Sequence, residues 1–229
     1  MQVWASLVDP VVTLFCFDFP RRLGECVAAP TIGILDCGSG NLRSVHKAIA
    51  HEEGSPRVST RIDPDWDGLV LPGVGAFGHA MRAVRPVRDD LAAFLEAGKP
   101  FLGICLGLQI LFESSEENPE EPGLGILKGR IVRIRAAKVP HIGWNSVELS
   151  RESRLFEGVG SGQHLYFVHS YAARPEEDVV IATCEHEGEP IVSAVERDNI
   201  YACQFHPEKS GRAGLRIVRN FVEMSRGGR

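Results

Sequence analysis

The chain has 229 residues, with 25 Lys and Arg against 30 Asp and Glu and a formal net charge of −5. That length suits one domain with room for a small appendage, and 44% hydrophobic with 24% charged residues is the composition of a water-soluble globular protein. The acidic balance argues against a general binder of nucleic-acid phosphates or of anionic membrane surfaces, both of which need clustered Lys and Arg. No apolar run approaches the roughly 20 residues that cross a bilayer. The longest candidate, residues 11–19, is broken by Asp18, and its charges (Asp9 before, Arg21 and Arg22 after) run opposite to those of a secretory signal. The six cysteines (Cys16, Cys26, Cys37, Cys105, Cys184 and Cys203) form no C-x-x-C pair. Free thiols in a cytoplasmic protein, with no metal and no cofactor, are therefore expected.

In chain order, residues 31–35 form an apolar run that enters the glycine-rich stretch Asp36-Cys37-Gly38-Ser39-Gly40-Asn41, and a helix is predicted over 44–50. Residues 68–71 read as a second strand ending in Pro72-Gly73-Val74-Gly75. Leu91, Phe94 and Leu95 mark a helix over 89–97, stopped by Gly98 and Pro100. Residues 101–104 are a third buried strand, and 108–112 begin another helix. Apolar strands alternating with amphipathic helices imply a mostly parallel α/β sheet covered on both faces. Past the acidic loop at 116–125, strands are predicted at 129–134, 165–168, 179–183, 191–195 and 200–204, an antiparallel or mixed extension of the same sheet. A last helix is expected over 214–224.

The chemistry concentrates in Gly103-Ile104-Cys105-Leu106-Gly107. A nucleophile at the tip of a strand-to-helix turn needs small residues two places either side, because the backbone bends too sharply for side chains there. The same turn leaves the Leu106 amide free at a helix start, able to bind an oxyanion and to favour a thiolate. Taken alone, Cys105 could equally be a buried thiol packed as a small hydrophobe. What changes the balance is Gln204-Phe205-His206-Pro207-Glu208, at the end of a predicted strand. His206 suits the proton relay a cysteine nucleophile requires. Glu208, two residues on, projects to the same side in extended backbone and can hold the imidazole tautomer. The Pro72–Gly75 segment is a candidate for a second amide donor, with a plain tight turn as the alternative.

Together these segments resemble the class I glutamine amidotransferases and, within them, the glutaminase subunits of imidazole glycerol phosphate synthase. The resemblance is carried by Asp36 to Leu42, Leu71 to Phe77, Gly103 to Gln109, Ser115-Glu116-Glu117, Val139 to Asn145, Tyr166 to Tyr171 and Gln204 to Gly211. It implies that Cys105 attacks the glutamine side-chain amide, His206 relays the proton and Glu208 orients His206, so that ammonia and then glutamate leave by way of a thioester. Val74 and Leu106 would supply oxyanion amides, with the 73–75 strand rearranging on activation. Gln109, Glu117, Gly75, Ser170 and Tyr171 would bind glutamine. The implied partner is a (β/α)8 barrel cyclase in histidine biosynthesis, which uses the ammonia on a phosphoribosyl formimino intermediate to give imidazole glycerol phosphate and an aminoimidazole carboxamide ribotide. Asn41 and Trp144 match positions near that interface, and Lys209, beside the triad, is a candidate interface cation, although from the residues alone Trp144 could be core and Lys209 solvated.

Two departures stand beside the resemblance. Residues 1–30 precede the first strand and are expected to be an N-terminal extension, either a poorly ordered arm or a start assigned too far upstream, ahead of a domain spanning 31–229, and Cys37 occupies a position where an aromatic is usual. Cys37 lacks a base and reads as a packing substitute rather than a second nucleophile. Deleting residues 1–29 is expected to leave activity intact, and an insoluble or inactive truncation would refute this. The rival readings are a glutaminase of another amidotransferase pathway, a cysteine hydrolase acting alone, and an inactive scaffold.

Overall fold

The structure, a computed structural model, describes residues 28–38 and 41–227. The expected appendage falls almost wholly outside these residues, as do Cys16 and Cys26. The described elements are β1 (Thr31–Leu35), α1 (Leu42–His51), β2 (Ser55–Ser59), β3 (Gly68–Gly73), α2 (Phe77–Val84), α3 (Arg88–Glu96), β4 (Phe101–Cys105), α4 (Leu106–Gln109), β5 (Ser114–Ser115), β6 (Gly129–Arg133), β7 (His141–Leu149), β8 (Gln163–His169), β9 (Tyr171–Pro175), β10 (Val180–His186), β11 (Glu189–Arg197), β12 (Ile200–Cys203) and α5 (Gly211–Arg226).

Nine strands form the main sheet in the order β2-β1-β3-β4-β12-β11-β10-β7-β8. From β2 to β12 the neighbours run parallel, and from β12 to β8 they run antiparallel. The mixed extension is therefore present. One of its expected members is elsewhere: residues 129–133 (β6) join β5 and β9 in a separate three-stranded sheet. A single residue, Ser170, lies between β8 in the main sheet and β9 in the small one.

The parallel strands are apolar on both faces because each face is covered. Ile32, Ile34, Val70, Leu102 and Ile104 point into a core completed by Val45 and Ile49 of α1 and Ile217, Val218 and Phe221 of α5. Alternate residues, Leu69, Leu71 and Phe101, enter a second core with Phe77 and Met81 of α2 and Leu91 and Phe94 of α3. This period of two follows from the pleat. Gly33 of β1 has no side chain because Trp66 covers it: a Cβ there would lie 1.8 Å from the indole.

The helix expected to begin at 108 is instead α4, which starts at Leu106 and ends at Gln109, closing with Leu111 N–H to Leu108 O at 3.2 Å and Phe112 N–H to Gln109 O at 3.2 Å. Such i to i+3 bonds tighten and end a helix. A four-residue helix has little dipole, so thiolate stabilisation by the macrodipole, expected from the sequence, is a minor contribution here.

Candidate functional site

Cys105 is the last residue of β4 and precedes α4, with φ 54° and ψ −105°. A non-glycine residue held there is strained and persists only because its surroundings fix it. The surroundings are visible at the flanking glycines: a Cβ on Gly107 would come within 1.9 Å of Leu71 O, and one on Gly103 within 2.7 Å of Gly107 O. The requirement for small residues is thus steric contact between β3, β4 and α4.

His206 follows β12, the parallel neighbour of β4, so adjacent strands deliver the thiol and the imidazole to one edge. Its backbone is pinned by His206 N–H to Tyr166 O at 2.8 Å, and the Ser210 hydroxyl donates to His206 O at 2.6 Å. His206 Nδ1 meets Glu208 Oε1 at 2.8 Å, with each side chain 1% exposed. The route to this pair differs from the sequence expectation: residues 207–209 form a 3-10 turn rather than extended backbone, and the turn folds the carboxylate back onto the ring. Asn41, with φ 82°, donates from Nδ2 to the same Glu208 oxygen.

Burial lowers the His206 pKa, but Cys105 and Glu208 outweigh it and push the value up to about 9. Both neighbours favour the protonated ring. His206 Nε2 is buried without an aligned hydrogen bond, the loose geometry common before substrate tightens a catalytic contact.

Beside Cys105 lies a cavity of about 360 Å³, whose lining includes Val74, Gly75, Leu106, Gln109, Glu117, Ser170 and Tyr171. The structure therefore gathers every expected oxyanion and substrate residue around one thiol. Gly75, at φ 111°, sits in the left-handed region that favours glycine. Glu117 Oε2 accepts the Phe77 N–H at 2.8 Å, at the first turn of α2.

Three residues to which the sequence reading assigns no role complete the site. His169 lines the cavity, and its Nδ1 is 2.8 Å from Tyr171 O, so Nδ1 carries the proton and Nε2 accepts. His141 Nδ1 lies 3.0 Å from that Nε2 and must donate, leaving its own Nε2 to accept from Asn145 Nδ2 at 3.1 Å. Both rings are neutral: burial pushes His169 down to about 3, and burial with the nearby His186 pushes His141 down to about 4. The third residue is Gln204, fully buried, whose Nε2 is 3.5 Å from Cys105 Sγ. Its only sequence signal was its place just before Phe205-His206.

The expected interface residues are spread differently. Asn41 turns to Glu208, while Trp144 is 55% exposed next to Ile142 on β7, itself 59% exposed. Trp144 packs edge-on against Tyr166 at 6.1 Å, and Lys209 Nζ stands 5.8 Å from the centre of the same ring. Cys37 is buried, and burial with the adjacent Asp36 pushes its thiol up to about 12, out of the reactive range. Among the described residues no helix is long and apolar enough to cross a membrane.

A family model for class I glutamine amidotransferases matches residues 34–224. The imidazole glycerol phosphate synthase subunit HisH of Thermococcus kodakarensis is 50% identical over 83% of this chain and 98% of that protein. The HisH subunit of Aquifex aeolicus is 48% identical over 82% of this chain and 94% of its own length. A solved structure of PurLQS from Thermotoga maritima superposes with TM-score 0.70 at 19% identity, covering 85% of this chain and 98% of that one, a likeness of fold. With the thiol turn, the His206–Glu208 pair and the cavity all within the matched region, the chain belongs to the class I glutamine amidotransferases, on the branch of the imidazole glycerol phosphate synthase HisH subunits.

Proposed function

We propose that this chain is the glutaminase subunit of imidazole glycerol phosphate synthase, working in histidine biosynthesis in the cytoplasm. Cys105 Sγ adds to the side-chain carbonyl carbon of glutamine, and the Val74 and Leu106 amides take up the oxyanion charge. His206 gives its proton to the amide nitrogen, the C–N bond breaks and ammonia leaves. Water then adds to the thioester while its proton goes to His206, and the C–S bond breaks to release glutamate. Glu208 holds His206 in orientation, and Asn41 holds Glu208. Gln109, Glu117, Gly75 and the Ser170–Tyr171 backbone seat the substrate.

The observation that carries this reading is the strained Cys105 turn at the edge of one cavity, with the buried His206–Glu208 pair just past the end of the neighbouring strand. Partner dependence is supported by a separate feature, the large apolar side chains Ile142 and Trp144 left in water beside Tyr166 and Lys209. Exposed neighbouring apolar side chains of this size mark interaction surfaces. The partner proposed for that surface is a (β/α)8 barrel cyclase that consumes the ammonia, with glutamine as the substrate of this subunit.

Glutamate release should be barely measurable for the purified chain and should rise strongly on adding the cyclase subunit with its nucleotide ligand bound. Full activity without the partner would instead indicate a cysteine hydrolase acting alone, and silence in both states an inactive scaffold.

A further inference from the structure

The orientation of the Gln204 side-chain amide is fixed by its neighbours. Tyr171 O is a carbonyl and can only accept, so the Gln109 atom 3.0 Å from it is the NH2 group. The other hydrogen of that group points to Gln204, 3.1 Å away, which must present its oxygen. Gln204 Nε2 is thereby turned to Cys105 Sγ at 3.5 Å, and a flipped Gln204 would set NH2 against NH2 at Gln109. His169 Nδ1 holds the same Tyr171 carbonyl at 2.8 Å, so both lone pairs of the anchor are used. Gln204 itself is fully buried, and its backbone N–H is fixed to Ser193 O at 2.9 Å. A buried amide is retained only where its hydrogen bonds are made, and here one of them ends on the nucleophilic sulfur.

We infer that Gln204 is a catalytic residue of this site, a fixed N–H donor that stabilises the Cys105 thiolate, with Gln109 and the Tyr171 carbonyl as the positioning chain that aims it. This rests on the reading of Cys105 as nucleophile. A second function follows from the same contact. When the thioester is hydrolysed, the electron pair of the breaking C–S bond returns to sulfur, and Gln204 meets the charge as it forms. Unlike His206, Gln204 carries no titrating proton, so its contribution does not fade as pH rises.

The test is the pH profile of iodoacetamide alkylation of Cys105 in the full chain, read by mass spectrometry, for wild type, Gln204→Met and Gln204→Glu. Methionine keeps the length and bulk without a donor, and glutamate keeps the shape but presents only acceptors. The midpoint should move up by about one pH unit in Gln204→Met, a tenfold change in thiolate fraction, and further in Gln204→Glu. An unmoved midpoint in folded variants, with Cys105 still labelled, would overturn the inference while leaving the nucleophile intact. If Cys105 is not labelled in wild type, the functional reading falls and the inference with it. Should both variants fail to fold, the Gln204 side-chain amide protons of wild type provide the readout by NMR. They should shift in step with the thiol titration and lose that shift on alkylation, and insensitivity to both would overturn the inference.

Discussion

Replacing Cys105 by alanine is expected to lower partner-stimulated glutamate release by about 10⁴-fold or more, since loss of a nucleophile forfeits the covalent route and leaves only binding and the oxyanion amides. Alanine fits the turn at least as well as cysteine, because the side chain shrinks while the strained backbone is held by β3 and α4. Glutamine affinity and assembly with the partner should therefore survive, so the loss falls on kcat rather than KM. A variant retaining more than about one per cent of wild-type release would show that another group is the nucleophile. Cys37 is a poor substitute, with its thiol buried and pushed up to about 12.

The second large effect is on folding. Gly107→Ala adds one methyl group, yet the new carbon would stand 1.9 Å from Leu71 O, a backbone atom of a central strand. It cannot be relieved by a rotamer change. Either β3 or α4 must shift, yet β3 lies between the two cores and Leu106 and Leu108 hold α4 in the second. A destabilisation of about 3 kcal/mol is expected, at the upper end of overpacking costs, measured as a drop in chemical-denaturation midpoint. Gly188→Ala is the control: no atom lies within 4 Å, and only its positive φ opposes a side chain. If the two variants lost equal stability, steric closure of the nucleophile turn would not be what selects glycine at 107.

The contrast between these glycines explains why the nucleophile was legible in sequence. The G-x-C-x-G demand is local, set by contacts within one turn and its neighbouring strand, so five residues state it. The parallel core was legible for a similar reason, since strands buried on both faces read as continuous apolar runs. β7 was not legible because its pattern is inverted. In its first half the inward side carries His141 and the outward side Ile142 and Trp144, so the hydrophobic alternation there names the wrong face. β2 was missed because it is an edge strand, half-exposed and containing Pro56, where pairing on one side suffices. The Asn145–His141–His169 chain and the aim of Gln204 depend on residues drawn together from β7, β8, β9, α4 and the segment just past β12. Two of its contacts are local, Asn145 to His141 and His169 to Tyr171, but the links from His141 to His169 and from Gln109 to Tyr171 and Gln204 join distant segments.

The strand order carries a consequence for biogenesis. β12 sits in the middle of the main sheet, between β4 and β11, yet it is the last strand among the described residues, and it pairs Ile200 with Phe101 across about 100 intervening residues. Such non-local pairing is slow to form. A nascent chain emerging as far as β11 already contains Cys105, but it has an open sheet edge where β12 belongs and lacks His206, Glu208 and Gln204 altogether. The thiol is thus chemically unarmed until residues 204–208 have been made, and a chain stopped short of residue 200 is expected to be an inert product rather than a glutamine-consuming one.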